Sequence, residues 1–175
     1  MQFPWYEVVD NNAEIAQGDI IKNCPVVFFK ETNFENESEI KAEIKTLDVI
    51  VMSQACDLAQ MKVKHVILCG LYSVKELEPA IQKKLVEIVK GREPAHCIIN
   101  EFENENISND FHLVDFRNIY SLPINNLLEI AKNQEKRLRL LPPYREHLSQ
   151  AFASYFMRIG LPIDINRERL SAACK

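Results

Sequence analysis

The chain has no apolar run approaching the roughly 20 residues that cross a bilayer, so hydropathy supplies no spanning helix and implies no membrane partner. Its start, MQFPWYEVVD, lacks the basic stretch and apolar core of a secretory signal, and cytoplasmic residence is the expectation. C-x-x-C pairs are absent too. The five cysteines (Cys24, Cys56, Cys69, Cys97, Cys174) are odd in number and scattered, which argues for reduced thiols rather than a disulfide framework. Internal repeats and low-complexity tracts are also missing.

What is present is an ordinary globular composition, 47% hydrophobic and 26% charged over 175 residues. That length suits one domain, or a small domain with an appended helical unit. Charge is unevenly placed. Residues 133–175 carry eight Lys/Arg against four acids, a net +4, which leaves −8 on the rest of a chain whose total is −4. A basic C-terminal section on an acidic body can meet phosphate, an acidic partner or the body itself.

The first 120 residues read as strands and turns. Asp19-Ile20-Ile21 and Val26-Val27-Phe28-Phe29 are short β-type runs, with Gly18 turning into the first and Pro25 holding Cys24 extended. Residues 31–38 are a polar loop. Ile40, Ala42 and Ile44 alternate with charged neighbours as a half-exposed strand leading to a central apolar one over 48–53. Val66-Ile67-Leu68-Cys69 is a second apolar run, and the two suit a long hairpin in a sheet core. Lys75 to Lys90 changes period: Leu77, Ile81, Leu85 and Ile88 predict one inserted helix, capped by Gly91. His96 to Ile99 and Phe111 to Phe116 predict a further hairpin across the Asn/Glu-rich loop 100–110, with Ile119-Tyr120 continuing it.

From Pro123 the pattern is helical. One helix is predicted over 124–140, running into Lys136-Arg137-Leu138-Arg139, and a second over 143–159, after the Pro142-Pro143 break and closed by Gly160 and Pro162. Leu148, Ala151, Phe152, Tyr155, Phe156 and Ile159 form a wide aromatic stripe that must be buried against the body or in a homo-oligomer. The expected architecture is α+β: a small, strongly bent β-sheet or SH3-like barrel over 1–122, with the inserted helix at 75–90. The C-terminal helical extension, 123–175, packs on it.

QGDIIKNCPV (17–26), DVIVMSQACDL (48–58) and LPPYREHLSQAFASYFMRIGLP (141–162) together resemble a family of bacterial proteins with no established activity. Gly18-Asp19-Ile20-Ile21 followed by an apolar strand and HVILCGLYS (65–73) is similar, more loosely, to PemK- and MazF-type toxins, small SH3-like barrels that cut RNA. Gln17 stands where those toxins have arginine, Leu47-Asp48 where they have Arg-Pro, and Ser73 alone remains of a Thr-Ser pair. The resemblance implies a barrel and a toxin–antitoxin or defence setting, but most of the cleavage residues are missing.

The segment DVIVMSQACDL carries the densest set of candidate site residues. Ser53, Gln54, Cys56 and Asp57 follow an apolar strand, offering a hydroxyl, an amide, a thiol and a carboxylate. Cys56 is the candidate nucleophile, with His96 preferred over His65, His112 and His147 as its base, and Ser53 or Gln54 as an oxyanion donor. Asp57 opposes thiolate formation, so the competing reading is a strand-end turn in which Asp57 caps backbone N–H groups. Asp19, Asp57 and Asp115 lie near strand ends, where turn formation is the plainer role. Cys24, Cys56, His65 and His96 come from separate segments, a poor pattern for zinc, and neither metal nor cofactor is expected. Lys136, Arg137, Arg139 and Arg145 bracket Tyr144 as a phosphate-binding cluster or a solvated helix face; a pI near 5.6 disfavours nonspecific nucleic-acid binding. The expected function is a binding or adaptor module with a protein partner. The alternative is an RNA-cleaving enzyme with its site at Ser53 to Asp57 plus Asp19 and His96.

Overall fold

The computed structural model describes residues 3–29, 42–104 and 107–157. Its strands are β1 (Tyr6–Asp10), β2 (Ile20–Phe29), β3 (Ala42–Val51), β4 (His65–Ser73), β5 (His96–Ile99), β6 (Phe102–Glu103), β7 (Ser108–Asn109), β8 (His112–Pro123) and β9 (Lys136–Leu140). Its α-helices are α1 (Ala55–Ala59), α2 (Pro79–Gln82), α3 (Leu85–Val89), α4 (Ile124–Lys132) and α5 (Tyr144–Phe156). The architecture is α+β. Five antiparallel strands in the order β2-β3-β4-β8-β5 form the main sheet, whose edges are β2 and β5 and which does not close on itself. A β1–β9 ribbon and a short β6–β7 hairpin stand beside it.

Over residues 49–51 and 68–71 the main sheet is buried on both faces, which is why its strands there carry no polar residue at consecutive positions. Ile50 and Met52 face a core shared with Tyr6, Phe116, Leu138, Leu140 and Leu148. Val49 and Val51 face the other way, onto a core with Leu58, Leu68, Leu127 and Ala131. The ribbon and α5 cover the first face, and α1 and α4 the second. The predicted hairpin of the two apolar runs is present, with Ile50 opposite Cys69 and Val51 opposite Leu68. Likewise Cys97 and Ile98 lie opposite Val114 and Leu113. The aromatic stripe of α5 docks by Phe152 meeting Phe116 edge-on, ring centroids 5.5 Å apart, while Phe156 stays exposed. Ile159, Gly160 and Pro162 lie outside the described residues.

Four expectations are corrected. The two short runs at 19–21 and 26–29 are one strand, β2, with an irregularity between Ile21 and Cys24 where Asn23 takes φ 51°. The single helix over 75–90 is broken into a 3-10 turn (Val74–Glu76), α2 and α3. Pro79, with no N–H to give, starts α2 at its first turn instead of continuing from Val74. The helix predicted over 124–140 ends at Lys132, and Lys136–Leu140 is a strand. KRLRL alternates with period two, and β1 supplies the backbone partner that a short alternating segment needs, Val8 opposite Leu138. β1 itself was not among the expected strands. Finally, the loop 100–110 contains β6 and β7.

Candidate functional site: the His96 cleft

The expected site residues separate into four places. Ser53 closes β3 and is spent on structure: its Oγ accepts the Ile67 N–H at 2.9 Å, extending the hairpin by one bond. Gln54 then starts α1, its backbone carbonyl accepting from Asp57 and Leu58. Cys56 is exposed on that one-turn helix, its Sγ 3.7 Å from Gln54 Oε1 and 3.8 Å from Asp57 Oδ1. The expected strand-end turn is therefore a helical turn, and the Asp57 carboxylate meets the thiol rather than capping it. His96 is on β5, with β4 and β8 between it and β3. Three strand spacings make on the order of 14 Å, so the Cys56–His96 pair is not assembled. The other described cysteines are no substitute, since burial pushes Cys24 and Cys97 up to about 11 and Cys69 to about 12.

Asp19, Arg137 and Arg139 do come together, but inside the protein. Asp19 and the Arg137 side chain are fully buried. Arg139 Nε and Nη2 donate to the Asp19 carboxylate at 2.5 and 3.1 Å, and Arg137 Nη2 reaches it at 3.5 Å. Arg137 also donates to the carbonyls of Asp10, Ala13 and Ala131. This network, with the Asp19–Arg139 bridge, joins the β1–β9 ribbon to β2. The expected basic surface is corrected accordingly. Tyr144 stacks on Trp5 (centroids 3.6 Å, 7° between planes), Arg145 pairs with Glu146 at 2.7 Å, and Lys136 alone of the cluster is exposed. Lys136 lines a cleft of about 620 Å³ with Lys22, Ile130 and Gln134, yet Gln134 already bonds the Lys22 backbone through both amide atoms.

The fourth place is built by a bulge. Between Cys69–Ile119 and Gly70–Asp115 the register of β8 slips, and Phe116, Arg117 and Asn118 have no opposite residue. Gly70 makes room on β4, since a Cβ there would lie 2.8 Å from the Tyr72 hydroxyl. The bulge folds Arg117 back onto Asp115, with backbone N and Nε donating to Oδ1 at 2.9 Å and Nη2 to Oδ2 at 2.7 Å. Asn118 donates to Tyr72 Oη at 2.9 Å and to Asp115 at 3.4 Å. Burial works against the Asp115 carboxylate, but the Arg117 bonds outweigh it and hold its pKa below the ordinary value.

Arg117 Nη2 also donates to His96 Nε2 at 2.8 Å. A guanidinium can only donate, so Nε2 accepts with its lone pair, and the neutral ring carries its proton on Nδ1. Burial holds the His96 pKa below its usual value; Asp115 pulls the other way and Arg117 adds to the lowering. The His96 side chain is 8% exposed, and Nδ1 has no hydrogen-bond partner among the described residues. It lines a cleft of about 450 Å³ with Trp5, Ile88, Phe111, His147 and Ala151. A mostly apolar cleft with a few polar residues on its walls has the make-up of a small-ligand site. His96 was among the candidate residues named from the sequence, whereas Arg117, Asn118 and Tyr72 were not. Their signal is the polar D-x-R-N interruption of an otherwise apolar strand. Among the described residues, no group of three or more His, Cys, Asp or Glu converges to hold a metal. No helix of the described residues is long and apolar enough to cross a membrane. No protein-family model matches the chain, and no curated protein matches its sequence.

Proposed function

We propose that the chain is a non-catalytic binding module whose ligand sits in the cleft beside His96. The observation that carries this is the cleft itself, about 450 Å³ and walled by Trp5, Ile88, Phe111 and Ala151, with His96 and His147 as its polar members. The adaptor form of this reading, with a protein partner on the basic C-terminal section, draws nothing from Arg137, which is buried, or from Arg139, which is spent on Asp19; Arg158, Arg167, Arg169 and Lys175 lie outside the described residues.

The RNA-cleaving alternative has its parts dispersed: Ser53 serves the hairpin, Asp19 serves two arginines, and His96 serves Arg117. The barrel that the toxin resemblance implies has better support. The β1–β9 ribbon is bridged to β2 through Asp19, and Tyr6 Oη donates to Asn100 O at 2.6 Å, just past β5. A curved wall that almost returns to its starting edge is what an SH3-like barrel requires. The bacterial family resemblance and the toxin–antitoxin setting rest on the sequence segments alone.

A thermal-shift screen of small aromatic molecules tests the binding reading, because a ligand that binds only the folded state raises Tm. Several should raise Tm of the wild type and fail to raise that of Ala151→Phe, which fills the cleft. Equal shifts in both proteins would move the ligand elsewhere and defeat the reading. RNA cleavage by the purified protein, lost in Cys56→Ala/Asp57→Ala, would install the enzyme reading instead.

A further inference from the structure

We propose a second ligand site, for a small phosphomonoester, in the cleft that opens between β2 and β9. It shares no lining residue with the His96 cleft and does not depend on the reading of that cleft.

The cleft exists because two strands part. Asp19 and Arg139 form a single antiparallel bridge between β2 and β9. Carried three residues further, the same register would set Lys22 opposite Lys136. No pairing forms there, because Gln134 takes the place of the strand. Its Nε2 donates to the Lys22 carbonyl at 2.8 Å and its Oε1 accepts the Lys22 N–H at 3.4 Å. The gap is thus fastened at both ends, by the bridge and by Gln134, and about 620 Å³ lies open in it. That volume falls within the roughly 300–1,000 Å³ of small-molecule sites.

Alternate residues of each strand line the gap: Ile20 and Lys22 on β2, Lys136 and Leu138 on β9. The two apolar side chains are buried, while Lys22 is half-buried and Lys136 exposed, so the floor is apolar and the rim cationic. Neither ammonium has an ion-pair partner among the described residues. By contrast Lys45, Lys75, Lys84 and Lys90 each meet a carboxylate at 3.2 Å or closer. Of the other charged residues on the walls, Arg137 is matched by Asp19, and Glu135 is the single carboxylate set against the two lysines. Like charges facing across a gap between strands repel, and a doubly negative group between them turns that repulsion into attraction.

The ligand class follows from that charge pattern. Lysines act as point charges with rotatable donors, which suits the several oxygens of a phosphoryl group approached from two sides. A phosphomonoester, with a second pKa of about 6, carries both charges on one group at neutral pH. A carboxylate or a phosphodiester carries one and satisfies one lysine. Ile20 and Leu138, with Ile107 and Ile130 on the walls, leave an apolar bed for the organic body of the ester.

The test is an NMR titration of the whole chain with 1-naphthyl phosphate, its methyl ester, 1-naphthol and inorganic phosphate, at about pH 7.5 where the monoester is a dianion. The Gln134 side-chain amide, anchored at Lys22, is the local reporter. Naphthyl phosphate should shift it saturably, and the other three probes should each bind at least about tenfold more weakly, lacking either a charge or the apolar body. Lys22→Gln and Lys136→Gln should each weaken naphthyl phosphate about tenfold, the worth of one hydrogen bond to a charged group. Lys136→Arg, which keeps the charge, should retain most of the affinity. Lys83→Gln, at an exposed lysine outside the cleft, should change nothing. An unchanged Tm in each variant verifies that the fold is intact. The inference is overturned by the absence of a saturable shift, or by an equal loss in Lys83→Gln. Equal binding of the methyl ester would also overturn it, in favour of a diester such as a nucleic-acid backbone. Equal binding of inorganic phosphate would do so as well, leaving an anion site with no use for its apolar floor. None of these outcomes touches the His96 cleft.

Discussion

Two Asp–Arg clusters hold different parts of this molecule, and they are built to opposite ends. At Asp19 a carboxylate with no exposed surface is shared by Arg137 and Arg139, and the remaining guanidinium hydrogens are largely taken up by backbone carbonyls. At Asp115 the carboxylate is 8% exposed, its arginine is 51% exposed, and a histidine is drawn into the set with one nitrogen unspent. The first cluster closes a seam between ribbon and sheet, with Asp19 and Arg137 wholly buried. The second borders a cleft and keeps its arginine half in water. Each holds one buried nitrogen without a hydrogen-bond partner among the described residues, Arg137 Nε in the first and His96 Nδ1 in the second. What separates the two is burial: the same two residue types make a fastening in one place and the edge of a candidate site in the other.

Breaking the fastening should have the largest effect. Asp19→Asn removes the only carboxylate that Arg137 meets among the described residues and leaves its buried charge uncompensated, which costs about 3–5 kcal/mol. Urea denaturation should read this as a lower midpoint, and a loss under about 1 kcal/mol would show that the backbone carbonyls alone suffice. The same substitution at Asp115 should cost less, about 1–2 kcal/mol, because Arg117 can turn its charge to water and the asparagine oxygen still accepts. Equal costs would erase the distinction between the two clusters.

The difference between the clusters also explains what was readable in advance. Val49 to Met52 and Val66 to Cys69 announced paired strands by their unbroken apolar character, the first run buried throughout and the second with Ile67 alone exposed. Lys136 to Leu140 did not announce itself. Over five residues, alternating charge and leucine fits a strand, but its continuity with the helical pattern before it pointed the other way, and only the distant partner β1 decides. Asp19 and Arg137 lie 118 residues apart, and nothing local says that they neutralise one another. His96 was named as a candidate on a different expectation. Its ring was assigned to Cys56, whereas it belongs to Asp115 and Arg117, brought to it by a bulge whose existence depends on the register of two strands.

A smaller effect separates the clusters by pH. The His96 pKa is lowered on folding, so its contribution is complete above the unfolded value near 6.5 and is lost as pH falls through it, while the unfolded chain takes up a proton that the folded chain refuses. The charged groups acting on the ring are Asp115, Arg117, Glu93 and Lys84, with His147 on the same cleft. Between about pH 7.5 and 5.5, the Tm of the wild type should fall more than that of His96→Phe. Parallel profiles for the two proteins would show that His96 titrates alike in both states. Asp115 does not confuse the window: its pKa is lowered from 3.8, so its own contribution is present above that value and is lost only at more acid pH.

The most informative change acts on the arginine. Arg117→Leu takes the cation from a carboxylate only 8% exposed and leaves it the backbone N–H of residue 117 and the Asn118 amide, so it should cost about 1–3 kcal/mol and lower the Tm. It also removes the donor that obliges His96 Nε2 to accept. With Asp115 Oδ2 3.7 Å from Nε2, the ring is then free to place its proton there and point it at the carboxylate. Imidazole NMR should show the proton moving from Nδ1 to Nε2. If the Nδ1–H form persists in Arg117→Leu, the tautomer is set by the cleft rather than by the arginine. In that case the contrast with the Asp19 cluster rests on burial alone.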